Sequence, residues 1–102
     1  MKVISSQRYL DYGIVDAKAE EIKNETVITL PVINSGLKDN TGEELFILVD
    51  GHHRKEAAEE LGIEVEYEEV ENEHGVEGDE LLLACYNDSD WYYVDTEKLV
   101  NW

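Results

Sequence analysis

A run of apolar residues in the middle of the chain ends in a string of residues that could bind an anion. The run is Leu45–Val49, and the string that follows it consists of Asp50, Gly51, His52, His53 and Arg54. Where a strand passes through a turn into a helix, the free N–H groups of the first helical turn and the helix dipole attract negative charge. Arg54 adds a planar fork of donors that suits phosphate. This order of residue types predicts a phosphate-binding site at the start of a helix.

Each side chain of this string has a chemical interpretation and a structural one. Gly51 permits a positive φ or a close approach of a ligand to the backbone. His53 could orient or protonate a phosphate, because the unperturbed pKa of histidine, about 6.5, lies near cellular pH. Asp50 is either a helix N-cap worth about 1 kcal/mol, or a carboxylate that holds Mg²⁺ together with phosphate oxygens or acts as a base. In the structural interpretation the string is solvated, and Arg54 pairs with a neighbouring glutamate.

The three histidines do not predict a transition-metal site. His52 and His53 are adjacent, whereas side chains that meet on a regular helix are three or four residues apart. His74 lies far from both in sequence, and the chain has no HExxH motif and no pair of cysteines.

Length and composition predict one domain over residues 1–102. The chain has 42% apolar residues, which is sufficient for a modest core. No apolar stretch approaches the roughly 20 residues that span a bilayer, and Met1–Ser6 has no apolar region adequate for a secretion signal. Cys85 is the single cysteine, so we expect no internal disulfide and a buried small side chain at that position. These features favour a cytoplasmic protein without a membrane partner.

The chain is strongly acidic, with a net charge of −17 and eight basic residues. Direct binding to nucleic acid is not expected, because it depends on neutralising phosphates with Lys and Arg. Between Glu56 and Glu80 there are twelve acidic residues and no Lys or Arg. This acidic tract is either a solvated strand face and loop, or a negative patch that imitates nucleic acid and docks on a basic protein.

The first half of the chain predicts one helix and three strands. We expect a helix over Gly13–Ile22, with Asp16 as N-cap and Ala19 and Ile22 facing inward. The predicted strands are Val3–Ile4 at a sheet edge, Val27–Ile33, and Leu45–Val49 buried on both faces. Two further expectations concern the second strand: Pro31 marks an edge, a bulge or an interruption, and residues 34–42 form a hairpin loop.

The second half predicts one more helix and three more strands. The helix runs from His52 or His53 to Leu61, with Ala57, Ala58 and Leu61 as its apolar stripe and Gly62 as its end. The predicted strands are Ile63–Glu68, which alternates, and Leu81–Tyr86 and Trp91–Val94 around a turn at residues 87–90. Thr96–Leu99 is expected to form a short helical turn. Trp91 and Tyr93 should share one face, Tyr92 and Val94 should share the other, and Trp102 is a candidate interface residue.

The segment Val49–Arg54, followed by Ala57-Ala58 and Leu61-Gly62, resembles the second signature box of the ParB/sulfiredoxin superfamily. That box reads approximately as a small or acidic residue, Gly, two variable polar residues, Arg, and then a helix that contains Ala and ends in Leu-Gly. The similarity runs from about Val27 to Val70. Within the superfamily, the Asp-Gly-His-His-Arg string looks most like a free-serine kinase branch.

The resemblance implies a small α+β domain with a mixed sheet and a nucleoside triphosphate, ATP or CTP with Mg²⁺, bound beside the strand–turn–helix. By position, Gly51, His52, His53 and Arg54 would contact phosphates, and Asp50 would lie close to the reacting group. Sulfiredoxin carries its catalytic Cys where this chain has His52, which argues against sulfiredoxin chemistry. The Arg-rich first box of ParB is not apparent near residues 32–38, and no helix-turn-helix pattern follows.

Two functions are therefore expected from the sequence. The first is a nucleotide- or phosphate-binding module, either a weak NTPase or a small-molecule kinase, with Asp50 and His53 as its catalytic residues. The second is a non-enzymatic acidic protein, an accessory of a phage, plasmid or other mobile element, that binds a basic partner protein.

Overall fold

A computed structural model covers residues 1–102 and shows three helices around one mixed five-stranded sheet, which confirms the expected small α+β domain. The strands are β1 (Lys2–Ser5), β2 (Val27–Lys38), β3 (Glu44–Leu48), β4 (Glu64–Glu69) and β5 (Tyr92–Tyr93). The helices are α1 (Tyr12–Ile22), α2 (His52–Leu61) and α3 (Asp79–Cys85). None of these helices combines the length and the apolar character required to cross a membrane.

The strand order in the sheet is β4-β2-β3-β1-β5. β1 is parallel to β3, β4 is parallel to β2, and the β2–β3 and β1–β5 pairs are antiparallel. The prediction of β1 as an edge strand is wrong, because Ile4 and Ser5 pair with the two residues of β5. Since β1 and β3 are parallel neighbours, their carboxyl ends lie at the same edge of the sheet.

Both faces of the sheet are buried, and β3 contributes to each. Phe46 and Leu48 belong to a cluster on one face, whereas Leu45 and Ile47 belong to a cluster on the other. The first cluster is completed by residues of α1 and α2, namely Val15, Ile22, Ala57 and Ala58. The second cluster includes Leu81 of α3 and Val100 near the C-terminus. The predicted burial on both faces is confirmed for Leu45–Leu48, whereas Val49 lies outside β3 and is exposed.

α1 begins earlier than the sequence predicts. Its N-cap is Asp11, whose carboxylate accepts hydrogen bonds from the N–H groups two and three residues later, at 2.8 and 3.4 Å. The expected cap, Asp16, lies inside the helix and is exposed, because the earlier aspartate already satisfies the first-turn donors. Ile22 is buried and Ala19 packs against the first cluster, so the predicted inward face is confirmed.

β2 continues well beyond the predicted strand, so the first part of the predicted hairpin loop, residues 34–38, is strand. The turn itself is built around Asp39, whose side chain is fully buried. Its carboxylate accepts from Lys2 Nζ at 2.7 Å and from the Tyr93 hydroxyl at 3.0 Å. The hydrogen bond from Lys2 holds the pKa of Asp39 well below its usual range. Asp39 therefore joins the turn to β1 and β5.

Pro31 lies inside β2 without removing a ladder hydrogen bond. The carbonyl of Val32 accepts from Val70 N–H at 2.8 Å, on the β4 side. Because backbone polar groups alternate along a strand, the nitrogen of Pro31 faces the β3 side. Pairing with β3 stops there, at Val32 with Leu48, so Pro31 marks the end of that ladder.

The structure corrects two predictions near the C-terminus. Residues 81–85 belong to α3 rather than to a strand. A short apolar run does not distinguish the two by periodicity alone, and here Asp79 and Glu80 occupy the first turn, where the helix dipole favours acidic residues. Residues 96–99 do not form a helical turn, because Leu99 instead makes an isolated bridge with Tyr92.

The other predicted strands are confirmed in part. β4 follows the alternation of the sequence, with Val65 and Tyr67 packed against the first cluster. The strand predicted over residues 91–94 shortens to β5. Its two faces are as predicted: Tyr92 and Val94 belong to the first cluster, and Trp91 and Tyr93 pack on the second.

Candidate functional site

A left-handed glycine joins β3 to α2. Gly51 has φ +93° and is the N-cap of α2, without a side-chain cap. A Cβ on this residue would lie 2.7 Å from Leu30 Cδ2, so the turn needs glycine for its conformation and for its contact with β2. The prediction that Asp50 caps the helix is wrong, because its carboxylate accepts from the N–H of Gly51 at 2.8 Å and from no first-turn N–H.

The first turn of α2 presents three backbone donors without acceptors in the protein. The N–H of Lys55 is the first in the helix with an acceptor, the Gly51 carbonyl at 2.8 Å. The N–H groups of His52, His53 and Arg54 have none. Together with the dipole of a ten-residue helix, this end of α2 is positively polarised.

The side chain of Arg54 lies on this same turn without a partner. Its Nε is buried and has no hydrogen bond, and its guanidinium takes part in none of the salt bridges of the protein. In the structural interpretation Arg54 pairs with a neighbouring glutamate. The structure shows a different pair on this helix, between Lys55 and Glu59. Arg54 lines none of the four cavities of the structure.

His53 connects the beginnings of the two long helices. Its Nε2 accepts the backbone N–H of Asp11, the N-cap of α1, at 3.1 Å. An imidazole nitrogen that accepts a hydrogen bond carries no proton, so only Nδ1 of His53 remains as a donor. The expected role of His53 as a phosphate ligand or proton donor is therefore restricted to that nitrogen.

His52 contacts a serine that the sequence analysis did not single out. Its Nε2 lies 2.6 Å from Oγ of Ser5, the last residue of β1. The same Oγ accepts the N–H of Gln7 at 3.0 Å. Burial, together with the nearby His53, lowers the pKa of His52 to about 4, so the His52 imidazole is neutral at pH 7. Only the parallel pairing of β1 with β3 could have revealed this contact, because nothing in the local sequence around Ser5 signals it.

The Ser5–His52 pair lies at the wall of a cavity of about 320 Å³. The cavity is bounded by the carboxyl ends of β1 and β3, the start of α2 and the end of α3; its lining includes Ser5, Ser6, His52, Cys85, Asn87 and Trp91. We call it the β1–α3 cavity. His52 also borders a second, smaller cavity of about 80 Å³ on the side of Lys55 and Tyr92.

Cys85 and His74 lie together in the wall of the β1–α3 cavity. Cys85 Sγ is 3.8 Å from His74 Nε2, and the cysteine is half-buried rather than fully buried as expected. Burial raises the pKa of this thiol, so it is protonated at neutral pH. No group of three or more His, Cys, Asp or Glu side chains is arranged to hold a metal ion.

Comparison with known proteins identifies no relative. No family model matches the chain, and neither does any curated protein or any solved structure. The candidate site of this small α+β domain is the strand–glycine–helix junction at Gly51 together with the cavity beside it. Its function is therefore inferred from this geometry alone.

Replacing Gly51 with alanine should destabilise the protein by roughly 2–4 kcal/mol, from the left-handed backbone and the clash with Leu30. Urea unfolding measures this change. Gly62→Ala is the matched control: Gly62 also has a positive φ, +71°, but nothing lies within 4 Å of its Cβ position. We expect a loss of only about 1 kcal/mol there. Equal losses at both positions would contradict the close packing at Gly51.

Stability should fall as the pH is lowered from 6.5 toward 4. In this pH range His52 is protonated in the unfolded state but remains neutral in the folded state, where its pKa is about 4. The free energy of unfolding therefore decreases as the pH falls, by up to roughly 3 kcal/mol. Urea unfolding across this range, with and without His52→Gln, checks the assignment. The His52→Gln variant should flatten the dependence of the unfolding free energy on pH, whereas His74→Gln, at an exposed position, should leave it unchanged. An imidazole NMR signal of His52 that titrates near 6.5 would refute it.

Proposed function

We propose that this domain binds a nucleotide or another phosphate-bearing small molecule at the start of α2. The observation that carries the proposal is the first helical turn, where the N–H groups of His52, His53 and Arg54 have no acceptor. The buried and unpartnered Nε of Arg54 is a fourth unmet donor on that turn. Phosphate oxygens are the acceptors that suit such a group of donors.

The glutamates of β4 do not oppose this binding at close range. β4, which carries four glutamates, is two strand positions away from β3, a distance of about 10 Å at the usual strand spacing. That exceeds the screening length of about 8 Å at physiological salt. The acid adjacent to the turn, Asp50, is already hydrogen-bonded to Gly51 N–H. Two further acids near the turn, Asp88 and Glu56, do oppose an anion, so binding there depends on direct contact with the helix end and with Arg54.

As part of this proposal we assign the domain to a ParB/sulfiredoxin-like fold, which the strand–glycine–helix order at Leu48, Gly51 and His52 supports. The proposed ligand is then a nucleoside triphosphate, ATP or CTP. The backbone of Gly51–Arg54 and the Arg54 side chain would then hold the phosphates. Asp50 is exposed beside the turn and would offer a carboxylate oxygen to Mg²⁺. For a weak NTPase or a small-molecule kinase, Asp50 would serve as base and His53 would act through Nδ1.

Titration with Mg²⁺-ATP, Mg²⁺-CTP and pyrophosphate tests the proposal. A ligand at 100 times its Kd should stabilise the protein by about 2.7 kcal/mol in thermal melts, and the amide NMR signals of His52, His53 and Arg54 should shift first. Arg54→Gln should weaken binding by about tenfold or more, through loss of a charge-assisted hydrogen bond.

Arg8→Gln is the matched control for this change of charge. Arg8 stacks on the Tyr92 ring at 4.0 Å and donates to the Glu97 carbonyl, so its loss should leave the affinity unchanged. If none of the three ligands, Mg²⁺-ATP, Mg²⁺-CTP and pyrophosphate, shifts the amide NMR signals of the first turn of α2, the proposal is wrong.

A second candidate function rests on the edge strand β4. This strand pairs with β2 alone, and its outward glutamates are exposed; we call Glu64, Glu66, Glu68 and Glu69 the acidic edge. An edge strand has unpaired backbone groups, and here they lie beside concentrated negative charge. The alternative function is therefore docking of a basic protein, in competition with nucleic acid, as an accessory protein of a mobile element would do.

Neutralising part of the acidic edge tests this alternative. Replacing Glu64, Glu66 and Glu68 with glutamine should weaken binding to a cationic probe protein such as protamine and flatten its salt dependence. The control makes the same charge change on and after α1, at Glu20, Glu21 and Glu25. Isothermal titration at several salt concentrations provides the comparison. Equal weakening by both sets would mean that net charge alone acts, and would exclude a docking site on β4.

A further inference from the structure

The Ser5–His52 pair has a geometry that phosphate binding at α2 does not use. The proposed phosphate site consists of backbone N–H groups and Arg54, which does not border the β1–α3 cavity. The pair instead joins a hydroxyl and an imidazole, 2.6 Å apart, at the wall of that cavity. A serine within hydrogen-bonding reach of a histidine is the arrangement that activates a nucleophile.

The fold holds both members of the pair in place. Ser5 ends β1 and His52 begins α2, which follows the parallel neighbour β3. Gln7 N–H donates to Ser5 Oγ at 3.0 Å, which leaves the hydroxyl proton for His52, and the Tyr92 hydroxyl also lies beside the Ser5 side chain. Ser5 is only 2% exposed, as expected for a side chain on the floor of a cavity.

The neighbouring groups leave His52 as the available base. His52 is neutral at pH 7 because burial lowers its pKa to about 4. The Tyr92 hydroxyl, whose pKa burial raises, stays protonated and donates to the Gln7 carbonyl at 2.5 Å. A base with so low a pKa is weak, because general-base catalysis is most effective with a pKa near the working pH. Any reaction at Ser5 is therefore slow.

We propose that the β1–α3 cavity is an acyl-transfer site for small carboxylic esters, with Ser5 as the nucleophile and His52 as its base. Most of the exposed surface of the cavity is polar, and its apolar part, which includes Val49, Ala84 and Trp91, would contact a short acyl chain. A volume of about 320 Å³ is at the small end of ligand cavities. The substrate class is therefore a small ester with an apolar acyl group.

The reaction has two balanced steps. Ser5 Oγ forms a bond to the carbonyl carbon while its proton passes to His52 Nε2, and the tetrahedral intermediate then expels the alcohol, which takes that proton. Water attacks the acyl-serine in the same way, releasing the acid and restoring Ser5. Asn87 also borders the cavity; its Nδ2 gives one hydrogen to Gln7 Oε1, and its second hydrogen, which has no acceptor in the protein, would donate to the oxyanion.

Labelling with a fluorophosphonate probe, followed by peptide mass spectrometry, tests the site on the unmodified protein. The phosphonyl group should replace the Ser5 hydroxyl hydrogen, with fluoride as the leaving group. We expect one adduct, on Ser5, together with slow hydrolysis of p-nitrophenyl butyrate. No adduct, or an adduct only on another residue, overturns the proposal, and this result requires no variant to fold.

Variants then separate the pair from its surroundings. Ser5→Ala should abolish labelling, and His52→Gln should slow it by about tenfold or more, with folding checked by thermal melts. Ser6→Ala is the matched control: Ser6 is buried in the same cavity, but its Oγ accepts the Asn87 N–H at 2.6 Å and contacts no imidazole. Labelling should survive in Ser6→Ala and in Cys85→Ala, which removes the only thiol. Hydrolysis that persists undiminished in a folded Ser5→Ala variant would assign it to His52 or Cys85 instead and refute the proposal.

Discussion

The contact of Gly51 with Leu30 is the constraint on which the functional end of this domain depends. The left-handed turn brings the backbone so close to the Leu30 side chain of β2 that a Cβ at Gly51 would lie 2.7 Å from Leu30 Cδ2. The chain then turns back over the sheet, and Ala57 and Ala58 are fully buried on the first core cluster. The same turn points the first N–H groups of α2 away from any protein acceptor and brings His52 to the end of β1. A single backbone conformation therefore supports the core and creates the polar site.

The polar groups around this turn hold the structure together while leaving specific donors unmet. His53 connects α2 to the N-cap of α1, and His52 connects it to β1. Burying a neutral imidazole between such partners stabilises the fold only while it remains uncharged, since burial penalises the charged form. The buried Nε of Arg54, in contrast, has no partner, and an unmet buried donor costs about 1–3 kcal/mol. Local conflicts of this kind concentrate at functional sites.

The acidic edge is far enough from the other two candidate sites to act independently of them. The acidic edge lies on β4, at one side of the sheet, whereas Ser5 lies on β1, three strand positions away, or about 14 Å. Salt screens exposed charges over shorter distances than this. A basic protein on β4 would therefore leave the other two sites, the α2 turn and the β1–α3 cavity, unaffected despite the net charge of −17, whereas those two sites share His52.

The sequence by itself determined the elements whose signals are local. The apolar run before Gly51, the buried alanines at 57 and 58, the stop at Gly62 and the alternation in β4 predicted what the structure shows, because these signals involve neighbours within a few residues. The prediction that Leu61 completes the apolar stripe of α2 is wrong, because Leu61 is exposed. Tertiary structure decided the rest. It placed residues 81–85 in a helix because Leu81 completes the second core cluster. The other members of that cluster are distant in sequence, so the residues around Leu81 do not reveal this packing. It also paired Ser5 with His52, 47 residues away, because strand pairing is set by the whole sheet and not by the residues on either side of each strand.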